Sequence, residues 1–164
     1  MEEEIKRFIW KERLLLKKPF KIAHGSYNYR ENVFFLIKYK SLYGIGEAAV
    51  VPYYGHTSGL IENDLRKINP KMLLEMINGG ISKEFDWDIP VDTMPARCAI
   101  ESALIDILSQ IEETSIGDYL GVFEQEIAPT SYTVTGSTAH EIIDDAEKSP
   151  TTISIPRLSA LLLQ

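Results

Sequence analysis

The amino-acid sequence predicts an α+β fold in which a three-stranded antiparallel meander is followed by helices. Two observations carry that class. Apolar and polar residues interleave with strand-like spacing up to about Val51, and the spacing turns helical from Thr57 onward. A third observation extends it. After Pro129 a short strand and a capped helix follow one another, one step of the β/α unit from which barrels and doubly wound sheets are built.

The first strand is read over residues 4–16 (EIKRFIWKERLLL), where charged and large apolar residues alternate. Pro19 is expected to break that run, and Lys21 to Arg30 (KIAHGSYNYR) reads as a loop of small and aromatic residues. Asn32 to Lys40 (NVFFLIKYK) gives the strongest strand signal, since β-branched and aromatic side chains suit a pleated, half-buried surface. Ser41-Leu42-Tyr43-Gly44 supplies a turn, and Ile45 to Val51 returns as the third strand.

Leu60, Ile61, Leu65 and Ile68 then recur at helical spacing, with Thr57 or Ser58 available as the N-cap. Pro70 fits the first turn of a second helix carrying Leu73, Leu74 and Ile77, which Gly79-Gly80 ends. Residues 81–94 read as loop. Pro95 opens the longest helix, PARCAIESALIDILSQIEE, with Ala96, Ile100, Ala103, Leu104, Ile107, Leu108 and Ile111 on one broad apolar face. Gly117 and Gly121 bracket a turn at Asp118-Tyr119-Leu120. Thr130 to Val134 (TSYTV) is the short strand of the β/α step. Thr138-Ala139-His140-Glu141 has capping-box spacing ahead of Ile142, Ile143 and Ala146.

The segment SPTTISIPRLSALLLQ holds a single charged residue, Arg157, in a chain that is 25% charged. That composition break suggests a frameshift or truncation at Ser149. The sequence thus divides into residues 1–128, a first β/α unit over 129–148, and an atypical tail over 149–164.

Composition narrows the function classes. With 45% hydrophobic residues the chain can build a core, and its net charge of -7 repels phosphate backbones, which disfavours nucleic-acid partners. Apolar runs are far too short to span a membrane. The acidic start Met1-Glu2-Glu3-Glu4 is the reverse of a signal peptide's positive start, so a cytoplasmic protein is expected.

Few single residues offer chemistry. Gly44-x-Gly46-x-x-Ala49 matches a dinucleotide fingerprint formally, but Val50-Val51-Pro52 is no helix start to receive a pyrophosphate, so a hairpin glycine pair is the better reading. Cys98, the one cysteine, is expected to pack as a core thiol. His56 and His140 read as surface residues. Glu101 and Asp106 sit about 140° apart around a helix and cannot share a metal from one face. Together with Asp144, Asp145 and Glu147 they read as a solvated, salt-bridging surface. Tyr27, Tyr53 and Tyr54 could wall a pocket or cover the edge of the core.

Four stretches in fixed order carry a resemblance: Pro19-Phe20-Lys21-Ile22-Ala23-His24-Gly25, Gly44 to Ala49, Pro52-Tyr53-Tyr54-Gly55, and Ala96 to Ile107. In that order they resemble the N-terminal capping domain of the muconate-lactonising branch of the enolase superfamily, with the dipeptide epimerases nearest. Tyr132-Thr133-Val134 resembles the first strand of the barrel that such a cap covers, here an incomplete TIM barrel.

The resemblance implies a site. Two cap loops, Lys21 to Tyr27 and Ala48 to Tyr54, would close over a dipeptide, with His24, Gly25, Tyr27, Tyr54 and Thr133 touching it. His24 or Gly25 holds the place where Ala-Glu epimerases use an arginine, so the resemblance leaves the substrate open between L-Ala-D/L-Glu and a related Ala-Xaa dipeptide. Such enzymes move an α-proton with lysines on opposite faces of the substrate, beside a Mg²⁺ held by three carboxylates. No catalytic or metal-ligating residue is assigned in this chain. Thr151-Thr152-Ile153-Ser154-Ile155 stands where a Lys-x-Lys is expected, and the chain alone is expected to bind no Mg²⁺ and to be inactive. The alternatives are a non-catalytic interaction module, or a relative acting in cycloisomerisation or acid-sugar dehydration. Homo-oligomers through the unpaired strand at 130–134 are a further expectation.

Overall fold

Alternation over Val33–Tyr39 puts Val33, Phe35, Ile37 and Tyr39 on one buried face of a strand, and that strand is the middle of the sheet. The computed structural model describes residues 5–22, 25–79, 87–122 and 133–148. Its strands β1 (Ile5–Ile22), β2 (Gly25–Tyr39) and β3 (Leu42–Ala49) lie in the order β1-β2-β3. β2 and β3 pair antiparallel, with Phe35 opposite Gly46 and Ile37 opposite Gly44.

The meander is as expected, but its boundaries are not. β1 runs to Ile22 and β2 begins at Gly25, so the loop read over residues 21–30 is mostly strand. Pro19 does not break β1, because β1 is an edge strand where a missing N–H can face away from the ladder. The turn falls at Lys40-Ser41, with Lys40 at φ 55°, one step earlier than expected.

The chain divides into two compact units, Met1–Leu14 with Arg30–Glu124, and Leu15–Tyr29 with Gln125–Gln164. The first unit holds the core and the helices α1 (Ser58–Lys67), α2 (Pro70–Gly79), α3 (Met94–Ile111) and α4 (Ile116–Tyr119). Ile61, Leu65, Ile68, Leu73 and Ile77 meet Ile100, Leu104 and Ile107 in one apolar cluster with the buried face of β2. Each such side chain contributes about 1.5–3 kcal/mol on burial. Leu60 and Ile111, expected on apolar faces, are exposed, while Ala99, absent from the expected face, is fully buried. Cys98 is exposed, against expectation, because it lies about 200° around α3 from both Ala96 and Ile100.

The tightest packing is between α3 and β3. Gly44, Gly46 and Ala48 are the buried positions of β3, and Ala96, Ala99 and Ala103 are buried along α3. A Cβ on Gly46 would fall against the Ala99 carbonyl, 2.6 Å from its carbon, and one on Gly44 would sit 2.6 Å from Ile107 Cγ1. These glycines are there for space, as the helix backbone lies on the strand backbone. Two side chains of α3 also serve β3 directly. The Ile45 N–H donates to Asp106 Oδ2 at 3.1 Å, and Gln110 Nε2 donates to the Tyr43 carbonyl at 2.7 Å. β3 is an edge strand, so these bonds occupy backbone groups that would otherwise invite another strand. Asp106 is therefore a structural acceptor rather than a surface charge, while Glu101 pairs with Arg97 at 2.8 Å.

Helix ends are closed by identifiable partners. Thr57 caps α1 by accepting the Leu60 N–H at 3.2 Å. Arg7 reaches from β1 to the other end of α1 and donates to the carbonyls of Leu65, Arg66 and Ile68. Thr93 precedes α3 but makes no cap bond with its own hydroxyl. Asp64 of α1 instead holds the chain just ahead of α3, accepting the Thr93 N–H at 2.7 Å and the Asp92 N–H at 3.2 Å, with Lys67 at 2.8 Å. Burial raises the Asp64 pKa, but the hydrogen bonds from Lys67 and Thr93 outweigh it and hold the carboxyl below its ordinary 3.8.

Two outcomes follow for stability. Gly46→Ala is expected to cost about 3 kcal/mol or more, since the clash is with backbone that cannot turn aside; urea unfolding followed by circular dichroism measures it. Asp64→Ala is expected to cost about 2 kcal/mol by orphaning the N–H groups ahead of α3. Because the Asp64 pKa is lowered on folding, its contribution is complete above the unfolded value and lost as pH falls through the folded one. The wild type should therefore lose stability below about pH 4 more steeply than Asp64→Ala.

Candidate functional site

The second unit is organised around the helix α5 (Ala139–Glu147). Thr138 accepts the Glu141 N–H at 3.2 Å, as the capping-box spacing predicts. The reciprocal bond shifts by one residue, since Glu141 Oε2 accepts from the Ser137 N–H at 2.6 Å. Farther along α5, Asp145 is only 9% exposed, which overturns its reading as a solvated surface carboxylate. It accepts the Thr135 N–H at 2.9 Å and the Thr135 hydroxyl at 3.4 Å, and Lys18 of β1 places its ammonium on the other oxygen. The Lys18 hydrogen bond, and after it the Thr135 N–H, holds the Asp145 carboxyl below its ordinary 3.8.

That arrangement fixes the approach to α5. Gly136 comes so close to the helix that a Cβ there would lie 2.8 Å from the Ile142 nitrogen. A cavity of about 470 Å³ opens at this point, lined by Lys18, Pro19, Thr135, Gly136, Asp145 and Lys148 among others. Thr133 lies exposed two residues before the Thr135 anchor. The strand expected over 130–134 lies in part outside the described residues, and its described part, Thr133 and Val134, carries no ladder pairing. A strand needs a neighbour to supply its hydrogen bonds, and among the described residues none lies alongside.

Gly25 and Tyr27 belong to the same unit as Thr133. Gly25 opens β2 at φ 150°, a conformation that favours glycine, and is exposed. The half-buried Tyr27 turns its ring toward it, so that a Cβ on Gly25 would lie 3.6 Å from Tyr27 Cζ. His24 lies outside the described residues.

Tyr54 belongs to the first unit, in a single 3-10 turn over Pro52–Tyr54 that Gly55 ends at φ 76°. Its ring meets Tyr53 edge-on at 5.2 Å and His56 at 6.0 Å. With Tyr53 and Tyr54 at 77% and 69% exposure, neither covers the core. His56 is half-buried rather than superficial, and its Nδ1 is buried with no hydrogen-bond partner among the described residues. His140 is exposed and lies 3.8 Å from Asp144.

The structure thus brings Gly25 to Tyr27 and Tyr54 to His56. Sequence reasoning missed Lys18, Asp145 and His56. No local signal links Lys18 to Asp145, which are 127 residues apart. Among the described residues no group of three or more histidine, cysteine, aspartate or glutamate side chains converges where a metal ion could be held. Among them, too, no helix is long and apolar enough to cross a membrane.

Comparison with known proteins fits this architecture. Residues 4–121 match the model of a family described as mandelate racemase / muconate lactonizing enzyme, N-terminal domain. The L-Ala-D/L-Glu epimerase of Escherichia coli strain K12 is 25% identical over 138 residues, covering 84% of this chain and 41% of the relative. A substrate-liganded structure of the L-Ala-D/L-Glu epimerase from Bacillus subtilis superposes with a TM-score of 0.70 at 25% identity, over 90% of this chain and 42% of that one. A dipeptide epimerase from Cytophaga hutchinsonii, complexed with Mg and D-Ala-L-Val, gives 0.68 at 25% identity, over 89% of this chain and 40% of that one. The chain spans about two fifths of the length of these relatives. With its meander, its helices and its matched residues all in the same order, the chain belongs to the mandelate racemase / muconate lactonizing enzyme family of the enolase superfamily, through that family's N-terminal capping domain.

Proposed function

We propose that this chain supplies the substrate-covering part of a dipeptide epimerase, acting on a dipeptide such as L-Ala-D/L-Glu or a related Ala-Xaa. The family match over residues 4–121 carries the reading, and the relatives named for dipeptides support its substrate class. In this reading residues 1–128 form the cover and 129–148 the first β/α unit.

Each candidate residue has a role that its surroundings permit. Gly25 leaves room at the start of β2 for a peptide backbone to approach, and the Tyr27 ring gives that approach an apolar wall. Tyr54 offers an exposed aromatic rim, and the exposed Thr133 hydroxyl can hydrogen-bond a substrate amide or carboxylate. Asp145 acts through another residue, by holding the Thr135 N–H and so the segment that presents Thr133.

Epimerisation requires a base to take the α-proton, leaving an enolate, and an acid on the opposite face to return one. A divalent cation would stabilise the enolate charge in such enzymes. The described residues offer no ligand set that fits it, and Thr151 to Ile155 contains no lysine. The contribution proposed for this chain is binding and coverage, with no proton transfer by the chain alone.

Amide NMR of the 164-residue chain titrated with L-Ala-L-Glu and D-Ala-L-Val tests this. Shifts should gather at Gly25, Tyr27, Tyr54 and Thr133, and Tyr27→Ala should weaken binding about fivefold. In D₂O with Mg²⁺ present, the dipeptide α-protons should remain unexchanged. Deuterium appearing at an α-carbon would contradict the coverage-only role, and a titration that moves none of the four residues would contradict the site.

A further inference from the structure

The outward face of the sheet carries a surface that dipeptide binding leaves unused. On β3 the residues alternating with the buried Gly44, Gly46 and Ala48 are Tyr43, Ile45 and Glu47. Their partners on β2 are Lys38, Leu36 and Phe34. On β1, Trp10 stacks on Phe34 with ring centroids 5.3 Å apart and planes 15° from parallel. Arg7 instead turns toward α1, and Ile5 and Ile9 pack against the core. Alternation therefore puts Lys6, Phe8, Trp10 and Glu12 on the outward face. Stepping two residues along each strand from the Trp10–Phe34 stack, alternation sets Phe8 level with Leu36 and Ile45, with Lys6 and Lys38 at one end and the stack beside Glu47 at the other. Phe8, Tyr43 and Ile45 are 48%, 51% and 48% exposed, which is uncommon for adjacent large apolar side chains.

We propose that a second copy of this chain docks on this face, sheet against sheet. The pattern is self-complementary. A two-fold axis lying in the interface and running across the strands carries the Lys6–Lys38 end of one copy over the Trp10–Phe34–Glu47 end of the other. Each ammonium then comes to the end that carries the Glu47 carboxylate rather than to another ammonium, and the Phe8–Leu36–Ile45 rows meet at the axis. A chain carrying a net charge of -7 repels its own copies in most orientations, so this pairing of opposite ends selects one of them. Docking by the rim of β3 is disfavoured, since Asp106 and Gln110 of α3 already occupy its backbone at Ile45 and Tyr43.

The area sets the strength. Three strands over about seven residues give a patch of roughly 15 by 20 Å, or about 300 Å² in plan, less than the ~800 Å² per partner of a standard interface. The dimer is therefore weak, with Kd on the order of 10–100 µM.

Sedimentation velocity of the 164-residue chain from about 5 to 300 µM, a range chosen to bracket that Kd, tests the pairing. The wild type should pass from monomer to dimer across it. Ile45→Lys and Phe8→Ser, both at exposed positions, should each weaken the dimer at least tenfold while leaving the circular dichroism melt in place. Lys38→Glu and Glu47→Lys should each weaken it alone, and an equimolar mixture of the two should restore a heterodimer. Wild-type monomer at every concentration would overturn the proposal. So would a dimer indifferent to Ile45→Lys, which would point to another route such as residues 130–134. Failure of the charge-reversed mixture to pair would overturn the two-fold arrangement.

Discussion

The first unit depends on one close approach, the seating of α3 on β3. A helix axis lies about 10 Å from a sheet when ordinary side chains separate them, and here glycine and alanine remove much of that spacing. The same face of α3 that meets Gly44 and Gly46 brings Ile100, Leu104 and Ile107 into the core with Ile61, Leu65 and Leu73. Its Asp106 and Gln110 reach the backbone of β3, and its N-terminus rests on Asp64 of α1. Sheet, core and helix ends are thus coupled through one element. The turn carrying Tyr53 and Tyr54 leaves the sheet just after β3, so this seat also determines where those rings begin.

The second unit is held by a different kind of interaction. Its anchor is polar: a buried carboxylate between a lysine of β1 and the backbone ahead of α5. Apolar packing tolerates small slips, whereas a carboxylate with two directed partners fixes a register. That behaviour suits the role proposed for the Thr133 hydroxyl. The candidate residues therefore divide by what holds them, with Tyr54 on the apolar unit and Gly25, Tyr27 and Thr133 on the unit with the polar anchor.

What was legible in the sequence was local. The Thr57 cap and the Thr138–Glu141 box involve partners three residues apart, so their spacing is their signal. The strand period of β2 likewise reports its own burial. The failures share a cause. Gly44 and Gly46 were visible, but the reason for them lies in a helix more than fifty residues later. Asp145 looked solvated because its partner Lys18 is 127 residues away, and Pro19 looked like a strand breaker because edge position is a tertiary property. Cys98 is exposed on a largely apolar helix because its phase around the axis points away from Ala96 and Ile100. Ordered motifs reached the family where single residues did not, since four stretches in fixed sequence carry more information than any one of them.

Native-state hydrogen exchange tests the coupling of α3 and β3 most directly. If the seat holds the first unit together, amides of Gly44 to Ala48 and of Ala99 to Leu108 should exchange only through one shared opening, with equal free energies at the top of the range for the chain. β3 amides exchanging at a markedly lower free energy than those of α3 would show that the strand opens while the helix stays in place, and would contradict that coupling.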